Sequence, residues 1–161
     1  YSKDNKPIGL FLADGKHINA FQTNDLFNGF FSINSKESAA IGDQVPDLSS
    51  RLALQSGPLF ITDDIARRLS IRDDEPARRI VVAQTTEEAI IFLALYGKEN
   101  TFEGPMLADV PKHLKEVEKL LGISIINALN LDGGSASAFI TKDHSLTELS
   151  PVGSFFCMID K

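Results

Sequence analysis

The run Asn127-Ala128-Leu129-Asn130-Leu131-Asp132-Gly133-Gly134-Ser135-Ala136-Ser137 is the point from which the rest of the chain can be read. Ile123, Ile125, Ile126, Ala128, Leu129 and Leu131 are apolar, with Ser124, Asn127 and Asn130 among them, which is the make-up of a buried strand. The strand stops at an acid followed by two glycines and then small hydroxyl residues. Glycine reaches backbone angles closed to other residues and lets another group approach the main chain. A carboxylate, peptide N–H groups and hydroxyls therefore gather at one strand end. Two readings follow: a tight Asp-Gly turn between strands, or a polar site on a rigid scaffold.

Working outward, Val110, Leu114, Val117 and Leu121 fall at helical spacing, predicting a helix over 108–121. Asp109 suits its cap, Pro111 its first turn and Gly122 its end. After the glycines, Ala138 to Thr141 reads as a strand, Lys142 to Pro151 as a loop, and Phe155 to Ile159 as the strand that closes the sheet. Upstream, Ile8 to Leu12 and Lys16 to Gln22 flank Asp14-Gly15, a preferred hairpin turn. Leu26 to Ile33 is a strand interrupted at Asn28-Gly29, where a close backbone approach is expected. Ala39 to Ile41 is its short partner. Leu52 to Leu54 and Leu59 to Ile61 flank the polar break Gln55-Ser56-Gly57-Pro58. Thr62 to Pro76 is charged and reads as a solvated loop. Arg78-Arg79 opens a β-branched strand. Thr85-x-x-Glu88 fits either a helix capping box or a hairpin turn, and the short apolar run Ala89 to Tyr96 ending at Gly97 favours the hairpin. Many short strands against one good helix predict an α+β fold with a mixed, mostly antiparallel sheet.

Composition narrows the function. The chain has 161 residues, and residues 1–161 are expected to form a single domain; a chain this long buries roughly 70% of its unfolded surface. A net charge of −6, with no basic run, argues against a nucleic-acid surface. No apolar segment reaches membrane-spanning length. The single Cys157 excludes an internal disulfide and, in its apolar run, reads as a buried thiol. His17, His113 and His144 are isolated, so neither a metal site nor a cofactor is expected.

The residues carry a resemblance. Asn127 to Asn130 with Leu131-Asp132-Gly133-Gly134 resembles the Asn-Leu-Asp-Gly-Gly signature of the phosphodiester glycosidase family. Lys6-Pro7-Ile8-Gly9-Leu10 with Asp14-Gly15, then Asn28-Gly29-Phe30-Phe31, resemble the opening blocks of its bacterial branch. Gln55-Ser56-Gly57-Pro58-Leu59 and Arg79 match two further blocks in order. Ser135 stands where the family usually has a third glycine, and Ala136 where it has a serine. The family carries an upstream strand block, and the resemblance implies that Tyr1 stands at its end, with most of the block expected to be absent here.

The resemblance implies a hydrolase that cleaves the bond between a sugar and a phosphodiester or related aglycone. Its implied partner is a saccharide or sugar phosphate, and its implied compartment periplasmic or extracellular, in a bacterial secreted setting. Asp132 is the implied nucleophile, base or electrostatic partner of the sugar ring. Arg79 is the implied phosphate holder, with Arg78 facing away. Asn28, Gln55, Ser56, Gly57, Asn130, Gly133, Gly134, Ser135 and Ser137 are the implied substrate-binding set. Within it, the Gly133 and Gly134 N–H groups suit phosphate or sugar oxygens. Asp109 and Glu103 are candidates for a second carboxylate. The altered glycine run and the absent block also suit a non-catalytic saccharide- or phosphate-binding domain that keeps the fold. A structural or assembly protein is the third reading.

Overall fold

The structure, a computed structural model, describes residues 6–159. The expectation about Tyr1 lies outside them. Two five-stranded sheets make up the body. The first contains β1 (Phe11–Ala13), β2 (Lys16–Asn19), β3 (Gly29–Ile33), β4 (Ala39–Gly42) and β5 (Leu52–Ser56), in the order β2-β1-β5-β3-β4. The second contains β6 (Leu59–Thr62), β7 (Ile65–Ala66), β8 (Arg79–Thr85), β9 (Ile90–Leu95) and β10 (Ile125–Gly133), in the order β7-β6-β10-β8-β9. Every pairing in both sheets is antiparallel. The expected α+β class therefore holds, with antiparallel rather than mixed sheets among the described residues. The helix α1 (Val110–Leu121) connects β9 to β10.

Burial sets the layers. Leu59, Val82 and Leu129 of the second sheet meet Phe31 and Ile41 of the first. On its other face, Phe60, Val81, Ala83 and Ala128 meet Val110 and Leu114 of the helix. The second sheet is thus covered on both sides, which explains its nearly continuous apolar strands. A fully buried side chain of this kind contributes about 1.5–3 kcal/mol. β10 lies at the centre of that sheet, between β6 and β8; its ladder to β6 ends at Leu129, while its ladder to β8 runs on through Asp132 to Gly133.

Local sequence explains most turns. Asp14 and Gly15 both have positive φ, 49° and 71°, as a two-residue hairpin turn requires. The Thr85–Glu88 segment is a hairpin turn: Thr85 Oγ1 accepts from the Ala89 N–H at 3.2 Å, and Glu88 takes φ 62°. Gly29 leaves room for Leu59 and Leu129, whose side chains a Cβ would strike.

Several expectations change. The Asp109 side chain makes no capping bond; a 3-10 turn, Leu107–Asp109, leads into α1, and the Asp74 carboxylate accepts from the Leu107 and Ala108 N–H groups, both at 2.9 Å. Leu121, at the last position of α1, is exposed rather than core-facing. The 62–76 segment is not merely solvated, since Leu69 and Ile71 pack on the core. Finally, Phe155–Ile159 forms no strand. Only Phe156 docks, with ring centroids 5.5 Å from Phe31 and 5.6 Å from Phe92, and Cys157 is exposed. An apolar run without a ladder partner is not a strand. In place of the expected 142–151 loop, β12 (Ser145–Leu146) pairs with β11 (Phe139–Ile140).

Candidate active site

The end of β10 carries the acid. The register shifts between Asn130 and Asp132, leaving Leu131 as an extra residue; Asp132 then stands opposite Ile80, and Gly133 opposite Arg79. Cross-strand partners share a face, so Asp132 shares the Ile80 face and Gly133 the Arg79 face. The carboxylate and the guanidinium thus leave the sheet end from successive rungs toward alternate sides. Their charges still interact. Asp132 reaches solvent, yet the protein around its carboxylate removes enough water to raise its pKa, against the pull of the Gly133 N–H (2.7 Å to Oδ1) and of Arg79. The pKa of Arg79 is lowered by burial and held up by Asp74 and Asp132.

Arg79 is anchored at three points. Its Nε donates to Pro105 O at 3.2 Å, and its Nη2 to Glu75 O at 2.6 Å and Asp74 Oδ1 at 3.4 Å. The same Asp74 receives the two N–H groups at the entry to α1, so it serves both the helix and the arginine. No hydrogen bond among the described residues engages Arg79 Nη1, and that atom is not sealed from solvent.

The break between β5 and β6 does come to the β10 end, but its polar groups turn inward. Gln55 makes four hydrogen bonds: Oε1 accepts from the Leu10 N–H (3.0 Å) and the Gln22 N–H (3.1 Å), and Nε2 donates to Gln22 O (2.6 Å) and Phe27 O (2.7 Å). That amide ties the 20–27 loop to β5 and has no donor or acceptor left over. Ser56 is buried and donates from Oγ to Asn130 O at 2.6 Å, linking the two sheets. Asn28 Oδ1 accepts from the Leu59 N–H at 2.9 Å. Asn130 Nδ2 donates to Gly57 O at 2.9 Å, while its Oδ1 is buried without a partner. Gly57 has no room for a Cβ, which would run into Leu26 O.

The glycine run is similarly engaged. The Gly133 N–H goes to Asp132, and the Gly134 N–H to Arg78 O at 2.8 Å, so neither points at a ligand. Gly134 takes φ 64°, and a 3-10 turn, Gly134–Ala136, follows. Ser135 is exposed, whereas Ser137 is buried. Arg78 does not face away: it is wholly buried and reaches Ser137 and Thr147. Neither Asp109 nor Glu103 forms a hydrogen bond with Asp132; Glu103 instead accepts from Asn100 at 3.0 Å. Among the described residues no group of His, Cys, Asp or Glu has the arrangement of a metal site. Sequence reasoning missed Asp74 and Arg78. Asp74 is one acid in a charged stretch, and Arg78 has the same composition signal as its neighbour.

A model of the phosphodiester glycosidase family matches residues 1–156, and the chain belongs to that family. Among solved structures it is similar to the catalytic domain of zebrafish N-acetylglucosamine-1-phosphodiester alpha-N-acetylglucosaminidase, captured auto-inhibited by its pro-peptide. The two share the fold at a TM-score of 0.62 and 17% identity. The alignment covers 87% of this chain and 50% of the zebrafish chain, so this chain spans half of that relative's length. No curated protein matches it. Among the described residues no helix is long and apolar enough to cross a membrane.

Proposed function

We propose that the chain carries the reacting end of a phosphodiester glycosidase, which hydrolyses the bond between a sugar's anomeric carbon and a phosphodiester or related aglycone. The observation that carries this reading is the placement of Asp132 and Arg79 on successive rungs at the end of the central strand; burial raises the pKa of the acid there and Arg79 opposes that rise. Breaking the anomeric C–O bond develops positive charge on the ring and negative charge on the departing phosphate. A carboxylate made more basic by desolvation is suited to the ring side, as nucleophile or base. The accessible Nη1 of Arg79 is suited to the phosphate side. Water supplies the hydroxyl that replaces the leaving group. Gln55 and Ser56 are in this reading the scaffold of the site rather than ligands of the sugar, because their side-chain hydrogen bonds run within the protein, and Asn28, Gly57 and Asn130 each give one group to such bonds.

A second reading, saccharide or phosphate binding without turnover, draws on the engaged Gly133 and Gly134 N–H groups and the saturated Gln55 amide, which leave few donors for a transition state. Hydrolysis of a panel of chromogenic sugar-1-phosphodiesters, beside calorimetric binding of the same compounds, separates the two. Release of chromophore supports the glycosidase. Binding by calorimetry with no release supports the second reading.

A further inference from the structure

Among the described residues Arg78 makes no salt bridge. It is wholly buried; burial lowers its pKa, and only the more distant charge of Glu148 opposes this. Nε donates to Ser137 Oγ at 3.0 Å, Nη2 to Ser137 O and to Thr147 O (2.8 Å to the latter), and the guanidinium carbon lies 4.8 Å from the centre of the Phe102 ring. Nη1 is buried without a partner. A buried polar group left unpaired costs about 1–3 kcal/mol.

What the arginine does locally is close a ring. Its main-chain carbonyl accepts the Gly134 N–H at 2.8 Å; Ser137 Oγ donates to Gly134 O at 2.8 Å; and its own Nε donates to that Ser137 Oγ. Backbone and side chain of one residue thus hold both ends of the turn that follows Asp132. The Gly133 position is tight against the same residue, since a Cβ there would collide with Arg78 O. Through Thr147 the arginine also holds the chain just past β12, and the base of that excursion is closed by Leu149 and Ser150 N–H bonds to Ser135 O at 2.8 and 3.1 Å.

We propose that Arg78 is a positioning residue: by locking the Gly134–Ser137 turn to the start of β8, it fixes where the Asp132 carboxylate stands. This rests on the reading of Asp132 as the reacting group. It differs from the role of Arg79, which acts on Asp132 by charge from the adjoining rung.

Arg78→Lys keeps the charge and loses the fork that grips Ser137. The test follows the Asp132 carboxyl by carbon-13 NMR titration in the wild type and in Arg78→Lys, with circular dichroism to verify the fold. A loosened turn lets water in, so the Asp132 midpoint is expected to fall toward the ordinary carboxylate value. A residue serving stability alone would lower Tm and leave that midpoint where it is. On a phosphodiester substrate the variant is expected to lose about tenfold or more in kcat, with KM held within about twofold. A folded Arg78→Lys protein with an unchanged Asp132 midpoint overturns the proposal. If Arg78→Lys does not fold, Ser137→Ala takes its place, since it removes the Nε acceptor and leaves the arginine. The same fall supports the proposal and no change overturns it. Retained turnover in Asp132→Asn would refute the site reading by a separate measurement, while the titration still decides the role of Arg78.

Discussion

Asp132 and Arg79 stand one rung apart on adjacent antiparallel strands, Asp132 opposite Ile80 and Gly133 opposite Arg79, and each charge shifts the protonation of the other. The raised pKa of Asp132 means that desolvation outweighs both the Gly133 hydrogen bond and the attraction of Arg79.

That balance has a consequence for stability. A carboxyl whose folded pKa exceeds its unfolded value binds its proton more tightly when folded. Its effect is absent below the unfolded pKa, near 3.8. Above that it costs stability, and the cost grows until the pH passes the folded value. Asp132→Asn is therefore expected to raise Tm at pH 7 and to give no gain near pH 3. Calorimetric scans at the two pH values check this; a lower Tm for the variant at pH 7 contradicts it.

Asp74 joins the helix entry to Arg79. Asp74→Ala removes the acceptor of two N–H groups and the partner of a largely buried guanidinium, and is expected to cost about 1–3 kcal/mol. Asp109→Ala, with no capping bond to lose, is expected to stay within about 0.5 kcal/mol of wild type. Urea denaturation of the two variants measures the contrast.

Gln55 was implied as a ligand of substrate, and its geometry makes it a strut. Gln55→Leu would leave the Leu10 and Gln22 N–H groups and two carbonyls without their partner. The expected result is a loss of about 2–4 kcal/mol in stability, at the high end for a single lost network. KM of the folded fraction is expected to be unchanged. A large rise in KM with normal stability would restore the ligand role.

Much of this fold was legible because it is written locally. Asp14-Gly15 and Thr85–Glu88 carry their turns in adjacent residues, the helical spacing of Val110 and Leu114 marks the core face of α1, and Asp132-Gly133-Gly134 marks the end of the central strand. What escaped depends on distant partners. Gln55 is saturated only because the 20–27 loop and Leu10 fold against it. Arg78 and Arg79 are identical in the sequence, and the pairing of Gly133 with Arg79 decides which of them is buried under the turn. Phe155–Ile159 has the composition of a strand and no ladder to join.

Asp132 is proposed to perform the chemistry, and turnover of Asp132→Asn on a sugar-1-phosphodiester is the measurement that decides it. Asparagine suits the same turn, so circular dichroism and the Gly133 and Gly134 backbone signals should be preserved. The neutral amide can neither attack the anomeric carbon nor stabilise ring charge, and kcat is expected to fall by about 10³-fold or more, with substrate binding retained. Turnover equal to wild type in a folded Asp132→Asn protein would contradict the claim and leave Asp132 as a turn residue.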